Sequence, residues 1–323
     1  MHELEASGIQ VLEIPFKVAA KPYTSLLSRS WEAAKLYKPY DFDIWHSYNY
    51  SADYTEPIIA RLAGSKAWVY TKKSMMWGTR AWILKSLLAS RIIADNRDMP
   101  DLFFNKYGLI RKTRVIPHGI PLDKYYPRKD VKNALREKFN IPAGDFLIGC
   151  VAHILPVKDH PTLIDAVAQL KHTHLFLAGY FGEESYLASL NKQIETLGIS
   201  DRVHFLGQIG NIPEFLNQMD VKVLPSKKEA FGVALIEAMA CGLPVIASDI
   251  SGPQQIIEDG ISGFLFPQGD SKALVNCIKK FQEDPDLRIR LGAAALKRVK
   301  DQFSIEKEVA AHERLYLEIA GRW

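Results

Sequence analysis

The sequence is poor in cysteine and lacks long apolar segments. Its 323 residues include three cysteines, an odd number, and each lies in an apolar or helical context. This usage is typical of reduced thiols in a cytosolic compartment rather than of a disulfide framework. No apolar run approaches the ~20 residues that span a bilayer, and the first residues lack the pattern of a signal peptide. We therefore predict a cytoplasmic globular protein.

Motifs for tightly bound cofactors are also absent. The sequence has neither a glycine-rich phosphate loop ending in Lys-Ser or Lys-Thr nor a Gly-x-Gly-x-x-Gly fingerprint, which argues against nucleotide hydrolases and dehydrogenases. The histidines do not have the spacing of zinc ligands. Asp41 and Asp43 lead into a predicted strand, which favours a structural role over metal binding. We predict that the protein requires no metal and no cofactor.

The surplus of positive charge is small. The chain has 41 Lys and Arg against 37 Asp and Glu, a formal net charge of +4. This surplus is too weak to indicate nucleic-acid binding, but it suits anionic ligands and permits contact with acidic lipids. We expect no nucleic-acid partner, and we leave open a peripheral location at the inner face of the membrane.

Short β-branched runs alternate with longer helical patterns in both halves of the chain. This alternation predicts parallel sheets covered by crossover helices, and the length predicts two domains. The strand candidates are IQVLEIPF, DIWHSYN, AWVYTKK, RIIADN and TRVIPHG in the first half, and FLIGCVA, HLFLAGY, RVHFLGQ, VKVLPS, PVIAS and GFLF in the second.

A proline- and charge-rich stretch separates the two halves at residues 117–130. We place an N-terminal domain at 1–125, a C-terminal domain at 126–302, and a closing helix that crosses back to the first domain at 303–323. Two doubly wound domains are expected to face a cleft. In such sheets ligands bind beyond the carboxyl ends of the strands, so the functional residues are expected in those loops.

One carboxylate in the second half stands in an apolar run. Between Glu229 and Asp249 the one other charged residue is Glu237, so a helix through this run has no polar face to hold Glu237 in water. Unpaired buried carboxylates are rare because loss of hydration is costly. The sequence leaves three alternatives open: a structural Lys or Arg satisfies Glu237, the helix is less buried so that the carboxylate reaches water, or hydroxyl groups of a ligand bind it. A vicinal diol of a sugar can donate two hydrogen bonds to one carboxylate.

The residues just before Glu237 predict an anion site. Glu229 follows the strand VKVLPS, and Phe231, Gly232 and Val233 begin the next helix. The unpaired amide groups and the macrodipole favour a phosphate at such a helix start by ~0.3–2 kcal/mol. Glycine at this position permits close approach of the phosphate to the backbone.

The order of the motifs resembles that of a known family. In EAFGVALIEAMACGLPVIAS, two glutamates separated by seven residues precede a run of small residues. This segment is similar to the donor-site signature of retaining nucleotide-sugar glycosyltransferases of the GT-B fold, in particular family four. VIPHGIPLDKYYP, DRVHFLGQIGNIPEFLNQMDVKVLPS and EDGISGFLFPQGD resemble further segments of that family in the expected order, from about Gly8 to Tyr316. The resemblance implies an α/β fold of two doubly wound, Rossmann-like domains.

The resemblance also implies roles for individual residues. Glu229 matches the acid that contacts the transferred sugar, and Glu237 matches the acid that holds the nucleotide ribose. Lys158 matches the basic residue that neutralises the donor diphosphate, which would lie against the helix start at 231–233. Gly252 matches a turn near the donor.

Four further candidates are less regular. His153 stands where the family usually has an arginine, and Gln255 stands where many relatives carry a glutamate; we assign both to donor binding. Lys73 occupies the place of a histidine near the acceptor, and His46 ends a neighbouring strand, so we assign both to the acceptor side. A structural role as a strand-end residue remains open for His153 and His46.

The similarity begins in the middle of the family's first domain. HELEASGIQVLEIPF has no opening strand, Gly-rich turn, helix and second strand before it, so we expect an N-terminal domain that lacks its first strand or strands. Loss of a central strand would leave backbone groups unpaired. A start-site truncation, a gene fragment, or a strand supplied by another chain or by rearrangement would each account for this.

The function implied by the resemblance is retaining transfer of a hexose. The donor would be a nucleotide diphosphate sugar, and the acceptor a sugar or a lipid-linked sugar, as in polysaccharide or glycolipid synthesis. Two alternatives remain open: a nucleotide-sugar binding protein or fragment without turnover, and a nucleotide-sugar epimerase on the same fold. The base, the sugar and the acceptor are not specified by the sequence.

Overall fold

The computed structural model describes residues 2–75, 80–128, 130–131 and 134–321. Its internal contacts divide the chain into two units. The first unit runs to Val115 and includes the residues from Glu313 onward, and the second unit is Ile116–His312.

The division between the units falls earlier than the boundary predicted after residue 125. Ile120 and Tyr125 are both buried in the apolar core of the second unit. Ile120 also forms a parallel bridge with Ser304. The start of the proline-rich stretch therefore packs as part of the second unit.

The first unit contains a parallel sheet of four strands. The strands are β1 Ile44–Ser47, β2 Ala67–Lys72, β3 Arg91–Ala94 and β4 Thr113–Val115. They lie in the order β1-β2-β3-β4. This order does not reverse among the described residues, so the sheet corresponds to one half of a doubly wound arrangement. β2 and β3 are buried along their length, as inner strands of a covered parallel sheet are.

Helices and short turns connect these strands. The predicted start of one helix, Trp77–Thr79, lies outside the described residues. The α-helices are α1 His2–Ala6, α2 Leu26–Lys35, α3 Thr55–Ala63 and α4 Arg80–Leu88. The 3-10 turns are Tyr23–Ser25, Lys38–Tyr40, Asn105–Tyr107 and Ile110–Lys112, and Pro100–Phe104 is a π-helical turn.

The strand predicted for IQVLEIPF is wrong. Residues 9–21 form neither helix nor strand, and Ile9 is 53% exposed. Alternating apolar residues make a strand only where a neighbouring strand pairs with their backbone, and here none does among the described residues. The segment instead packs Ile14 and Val18 against a small cluster around Tyr37, whose hydroxyl donates to the Ile14 carbonyl at 2.9 Å.

The second unit contains a parallel sheet of six strands. The strands are β5 Phe146–Val151, β6 Thr173–Ala178, β7 Val203–Gly207, β8 Val221–Leu224, β9 Val245–Ser248 and β10 Phe264–Phe266. They lie in the order β10-β9-β8-β5-β6-β7. The order reverses between β5 and β8, which is the switch point of a doubly wound sheet.

Helices cover both faces of this sheet. They are α5 Ala134–Lys138, α6 His160–Ala168, α7 Glu184–Thr196, α8 Ile212–Leu216, α9 Val233–Ala240, α10 Ser251–Ile256, α11 Ser271–Glu283 and α12 Pro285–Gln302, with a 3-10 turn at Pro156–Lys158. Asp270 and Asp284 cap the starts of α11 and α12 by accepting hydrogen bonds from the amides of Ala273 and Leu287.

Two apolar clusters lie on opposite faces of the six-stranded sheet. Side chains alternate between the faces along a strand, and β8 shows this: Val221 and Val223 belong to one cluster and Leu224 to the other. The face with Leu224 packs against α9, whose Leu235 and Ile236 are fully buried. The predicted α/β class with two parallel sheets is therefore confirmed.

A last helix, α13 Ile305–Ala320, begins in the second unit, and from Glu313 on its residues belong to the first. Within the first unit Glu318 of α13 forms ion pairs with Arg91 and Arg114. No helix within the described ranges is both long and apolar enough to cross a bilayer.

We predict that His204 makes the fold sensitive to acid. Its ring stacks on Phe176 and packs against Phe139, with centroids 4.7 and 4.5 Å away. Burial, and then the neighbouring His174, lower the pKa of His204 to about 4. The unfolded chain binds a proton near the ordinary pKa of about 6.5, so the native state loses stability as the pH falls from there towards 4.

A His204→Phe variant should keep the packing without the titrating group. We expect its melting temperature to fall by several degrees less than that of the wild type between about pH 7 and pH 4.5. Thermal unfolding followed by circular dichroism measures this. Equal acid sensitivity of the two proteins would contradict the assignment.

Candidate functional site

The carboxyl ends of β5, β6 and β7 surround an open cavity of about 450 Å³. Its walls come from the loops that follow these strands, where a doubly wound sheet binds ligands. The lining residues are Val151, Ala152, His153, Ala178, Gly179, Tyr180, Gln208, Ile209 and Ile212. His153 is exposed at this cavity, and its ring meets Tyr180 edge-on at 6.3 Å.

Lys158 and Glu229 meet as an ion pair in the same unit. Lys158 ends the 3-10 turn after β5, and Glu229 lies in the loop after β8, so both stand beyond the carboxyl ends of neighbouring strands. Lys158 Nζ is 2.6 Å from Glu229 Oε2, and Ser226 Oγ donates to the same oxygen at 3.2 Å. Both charged side chains are about one-fifth exposed, which leaves them accessible to a ligand.

Glu237 is half-buried on α9 and is held by a tyrosine. The hydroxyl of Tyr125 donates to Glu237 Oε1 at 2.8 Å, whereas no side chain of the described residues donates to Oε2. Burial raises the pKa of the Glu237 carboxyl, while the Tyr125 hydrogen bond and then the positive charges of Lys222 and Lys124 lower it. Among the described residues, Glu237 therefore forms no direct ion pair with a Lys or Arg. Its direct partner is the neutral hydroxyl of Tyr125.

The three residues at the start of α9 have different surroundings. Gly232 precedes the helix with φ +107°, a left-handed conformation that favours glycine. Val233 is exposed at the first helical position. Phe231 is 2% exposed, and its ring packs edge-on against His118 and Phe303. The side chain of Phe231 therefore belongs to the core.

Gly252 supports the loop that carries Glu229. A Cβ at this position would lie 2.7 Å from the carbonyl oxygen of Glu229 and 2.8 Å from that of Phe231. α10 can therefore approach this loop only because residue 252 has no side chain. Gln255, on the same helix, is half-buried and donates to the Ser251 carbonyl at 3.0 Å.

The acceptor-side candidates lie in the first unit, at the carboxyl ends of β1 and β2. His46 has partners on both ring nitrogens: Thr71 Oγ1 at 2.8 Å and the Tyr316 hydroxyl at 2.5 Å. Lys73 places its ammonium 4.6 Å from the centroid of the Tyr48 ring, which also packs on His46. The structure thus brings His46 and Lys73 together around Tyr48.

Two residues of the site were missed by the sequence reasoning. Tyr125 lies 112 positions before Glu237, and Ser226 lies in the strand-end motif before Glu229. No periodicity marks either residue: Tyr125 is brought to Glu237 by tertiary packing, and Ser226 reaches Glu229 from three positions earlier in the same loop. A pairing of a buried acid with a distant hydroxyl has no local signal in a single sequence.

Among the residues that the structure describes, no cluster of His, Cys, Asp or Glu side chains has metal-binding geometry.

Comparisons with known proteins match the chain to a described protein family. The model of the family "Glycosyl transferases group 1" matches residues 131–298. The chain is 27% identical over 302 residues to the UDP-Gal:alpha-D-GlcNAc-diphosphoundecaprenol alpha-1,3-galactosyltransferase of Escherichia coli, covering 88% of this chain and 78% of that protein. It is 28% identical over 213 residues to the lipopolysaccharide core biosynthesis mannosyltransferase LpcC of Rhizobium leguminosarum bv. viciae, covering 64% of this chain and 60% of that protein.

A solved structure matches nearly the whole chain. HepE of Anabaena, crystallised with UDP and glucose, superposes with a TM-score of 0.85 at 26% identity, covering 98% of this chain and 88% of that one. This likeness confirms the predicted GT-B fold class. The chain spans about half to three fifths of the length of the first curated relatives that it matches.

We predict that Gly252→Ala displaces the Glu229 loop. The added methyl group would meet two backbone oxygens rather than flexible side chains, so we expect a loss of ~1–3 kcal/mol in the free energy of unfolding. Gly210→Ala is the matched control, because a Cβ there meets nothing within 4 Å. Chemical denaturation measures both. A Gly252→Ala protein as stable as the control would refute the close packing of α10 on this loop.

Proposed function

The chain belongs to the glycosyl transferases group 1 family, and on that premise we propose that it transfers a hexose from a nucleotide diphosphate sugar to an acceptor hydroxyl. We further assign the reaction to the retaining enzymes of family four, as the motif order implies. The donor is assigned to the second unit, where Lys158 and Glu229 follow neighbouring strands and Glu237 lies on the helix α9.

The observation that carries this proposal is the state of Glu237. Its Oε1 is held by Tyr125, and its other oxygen is left for a ligand. A carboxylate fixed in this way is suited to accept hydrogen bonds from the vicinal hydroxyls of a ribose. HepE, which has a similar fold, was crystallised with UDP and glucose, and this supports a nucleotide sugar as the donor.

The diphosphate is assigned to Lys158 and to the start of α9. A phosphate there would accept hydrogen bonds from the first amides of the helix, which Gly232 exposes to close approach. Negative charge grows on the diphosphate as its bond to the sugar breaks, and the Lys158 ammonium is placed to neutralise it. A cation aimed at a leaving group contributes about 10²- to 10³-fold in rate.

Glu229 is assigned to the transferred sugar. In the structure the Glu229 carboxylate forms an ion pair with Lys158 at 2.6 Å. A bound diphosphate would also interact with Lys158, and the weakened ion pair would leave a carboxylate oxygen of Glu229 to accept hydrogen bonds from sugar hydroxyls. The cavity of about 450 Å³ beside His153 is large enough for a nucleoside base. His153 and Gln255 complete the donor-binding set.

The acceptor is proposed to be a sugar or a lipid-linked sugar. Two relatives are named for such acceptors, a diphosphoundecaprenol-linked sugar and a lipopolysaccharide core. His46 and Lys73, which meet around Tyr48, are the residues of the first unit assigned to acceptor binding.

Peripheral contact with a membrane belongs to the same proposal, because a lipid-linked acceptor lies at a membrane surface. Tyr23, in the 3-10 turn before α2, and Leu27 and Trp31 of α2 recur every four residues and are 64%, 68% and 41% exposed; we call them the α2 stripe. Lys38 lies over the Trp31 ring at 3.9 Å. Residues 17–40 hold five basic residues and one acidic residue, a surplus of four that equals the net charge of the whole chain. Interfacial aromatic residues flanked by lysines suit an anionic lipid surface.

Two competing functions make different predictions. A binding protein without turnover would bind the nucleotide sugar and leave it intact in the presence of any acceptor. An epimerase would release a free 2-epimer from the donor alone, without an acceptor.

The donor site is tested by binding of UDP, GDP and ADP and their hexose conjugates, measured by calorimetry. We expect Glu237→Ala to weaken binding of the preferred nucleotide about tenfold or more, because a hydrogen bond between hydroxyls and a charged acceptor contributes ~1.5–3 kcal/mol. Lys158→Ala should lower turnover of the nucleotide sugar by about 10²-fold or more. Glu195→Ala, at an exposed position of α7, is the control. Unchanged nucleotide affinity in Glu237→Ala would rule out the proposed ribose contact.

Membrane contact is tested by sedimentation with vesicles of phosphatidylcholine that contain or lack phosphatidylglycerol. We expect the wild type to bind the anionic vesicles and the double variant Leu27→Asp, Trp31→Asp to bind them at least about tenfold more weakly, because each change removes apolar burial at the interface. Ile289→Asp changes an equally exposed residue of the second unit and should bind as the wild type does. Equal binding by all three proteins would count against the α2 stripe.

A further inference from the structure

Lys222 is a fully buried lysine in the middle of the sheet of the second unit. It lies in β8, next to β5 at the switch point, and its side chain has no exposed surface. Fully buried lysines are rare because removing an ammonium from water is costly. None of the roles assigned so far uses it.

The register of the strands shows where the side chain goes. Lys222 is paired with Gly149 of β5, yet its Nζ donates to the carbonyl of Val151 at 3.2 Å. The side chain therefore extends two residues further along the sheet, towards the carboxyl ends where the site lies. Val151 itself lines the cavity beside His153.

The side chain also faces α9. Side chains alternate along a strand, and Val221 and Val223 point into the cluster on the opposite face, while Leu224 points into the cluster that includes α9. Lys222 shares the face of Leu224. Its ammonium has three donors, and the Val151 carbonyl is the one acceptor bonded to it within the described part of the chain.

The shared face of the sheet and the nearby charges together point to Glu237 as the partner of Lys222. Burial lowers the pKa of Lys222; Cys150, Glu237 and Glu229 act to raise it, and Lys158 acts to lower it. Burial raises the pKa of the Cys150 thiol, so at neutral pH this thiol is not the compensating anion. Glu229 is already paired with Lys158. Glu237 is the carboxylate that remains.

We propose that Lys222 is a positioning residue that keeps Glu237 ionised from beneath and thereby sets the pH range over which the nucleotide ribose is bound. This inference rests on the proposed ribose contact of Glu237. A buried cation behind the carboxylate favours its charged form, and a charged acceptor makes stronger hydrogen bonds with hydroxyls than a neutral one. The ionisable groups around the pair are Tyr125, Lys124 and Cys241 near Glu237, and Cys150, Lys158 and Glu229 near Lys222.

The sign of the pH effect follows from the charge. Without the cation, burial acts on Glu237 with less opposition, so the carboxyl takes up its proton at a higher pH. Nucleotide affinity should therefore begin to fall, on acidification, at a higher pH in Lys222→Met than in the wild type. Protonation of the nucleotide phosphate is common to both proteins and cancels in the comparison.

The experiment measures the affinity for UDP, GDP and ADP by calorimetry as a function of pH for the wild type and Lys222→Met. We expect the variant to bind about fivefold more weakly where the two curves are furthest apart, and to converge with the wild type at high pH. Its melting temperature should be unchanged or higher, since replacing a buried cation by hydrocarbon of similar length is often stabilising. Weaker binding in a protein that is no less stable separates this role from a merely structural one.

Three companion variants sharpen the test. Lys222→Arg keeps the cation and should keep the wild-type pH curve. In a Glu237→Gln background, Lys222→Met should have no further effect on affinity, because the group through which it acts is gone. Lys85→Met removes another fully buried lysine, in the first unit, and should leave nucleotide affinity unchanged. If Lys222→Met does not fold, Lys222→Gln takes its place.

The outcomes distinguish the two levels of the proposal. A wild type that binds none of the three nucleotides refutes the proposed function itself. A wild type that binds, with a Lys222→Met curve superimposed on it at every pH, overturns the role of Lys222 and leaves the donor site standing. An equal loss of affinity at all pH values also overturns it, because that result indicates a structural effect.

Discussion

The cost of holding a carboxylate inside the apolar face of α9 organises the second unit. Glu237 is half-buried on this helix, and burial raises the pKa of its carboxyl. The surrounding chain opposes this with a hydroxyl from Tyr125 and with positive charge from Lys222 and Lys124. A carboxylate maintained against such a penalty is stabilised by its neighbours and is well placed to accept hydrogen bonds.

The second charged pair of the site behaves differently. Lys158 and Glu229 are partly exposed and close on each other at 2.6 Å, so each satisfies the other without a ligand. A bound diphosphate sugar would have to break this ion pair, with the phosphate binding Lys158 and the sugar hydroxyls binding Glu229. The affinity of the site for a donor is therefore reduced by the strength of an ion pair that the free protein already has. This favours ligands that carry both an anionic group and hydroxyls at the matching separation.

The backbone of the second unit brings these groups together at one edge of the sheet. The order of its strands reverses between β5 and β8, and the loops after these two strands carry Lys158 and Glu229. Gly252 allows α10 to pack directly on the backbone of the Glu229 loop. Close packing of the backbone thus fixes the loop, and the ion pair of Glu229 with Lys158 adds a side-chain contact.

Much of this arrangement could be predicted from the sequence, and the failures have physical reasons. The strands of the second unit are buried apolar runs separated by helical patterns, so their positions along the chain can be predicted from the sequence. Glu237 can be singled out because its neighbours in the sequence are apolar. IQVLEIPF has the composition of a strand, but it pairs with no strand among the residues that the structure describes, and a local pattern does not contain this information. The contact of Tyr125 with Glu237 joins residues 112 positions apart. The position of the Lys222 side chain depends on the register between two neighbouring strands. Neither relation can be read from a local stretch of sequence.

The central claim is that the free oxygen of Glu237 accepts hydrogen bonds from the ribose hydroxyls of a nucleotide. Its most direct test compares, by calorimetry on the unaltered protein, the nucleoside diphosphate that binds best with its 2′,3′-dideoxy counterpart. The account predicts that loss of the two hydroxyls weakens binding by about tenfold or more. Equal affinity for the two compounds would contradict it.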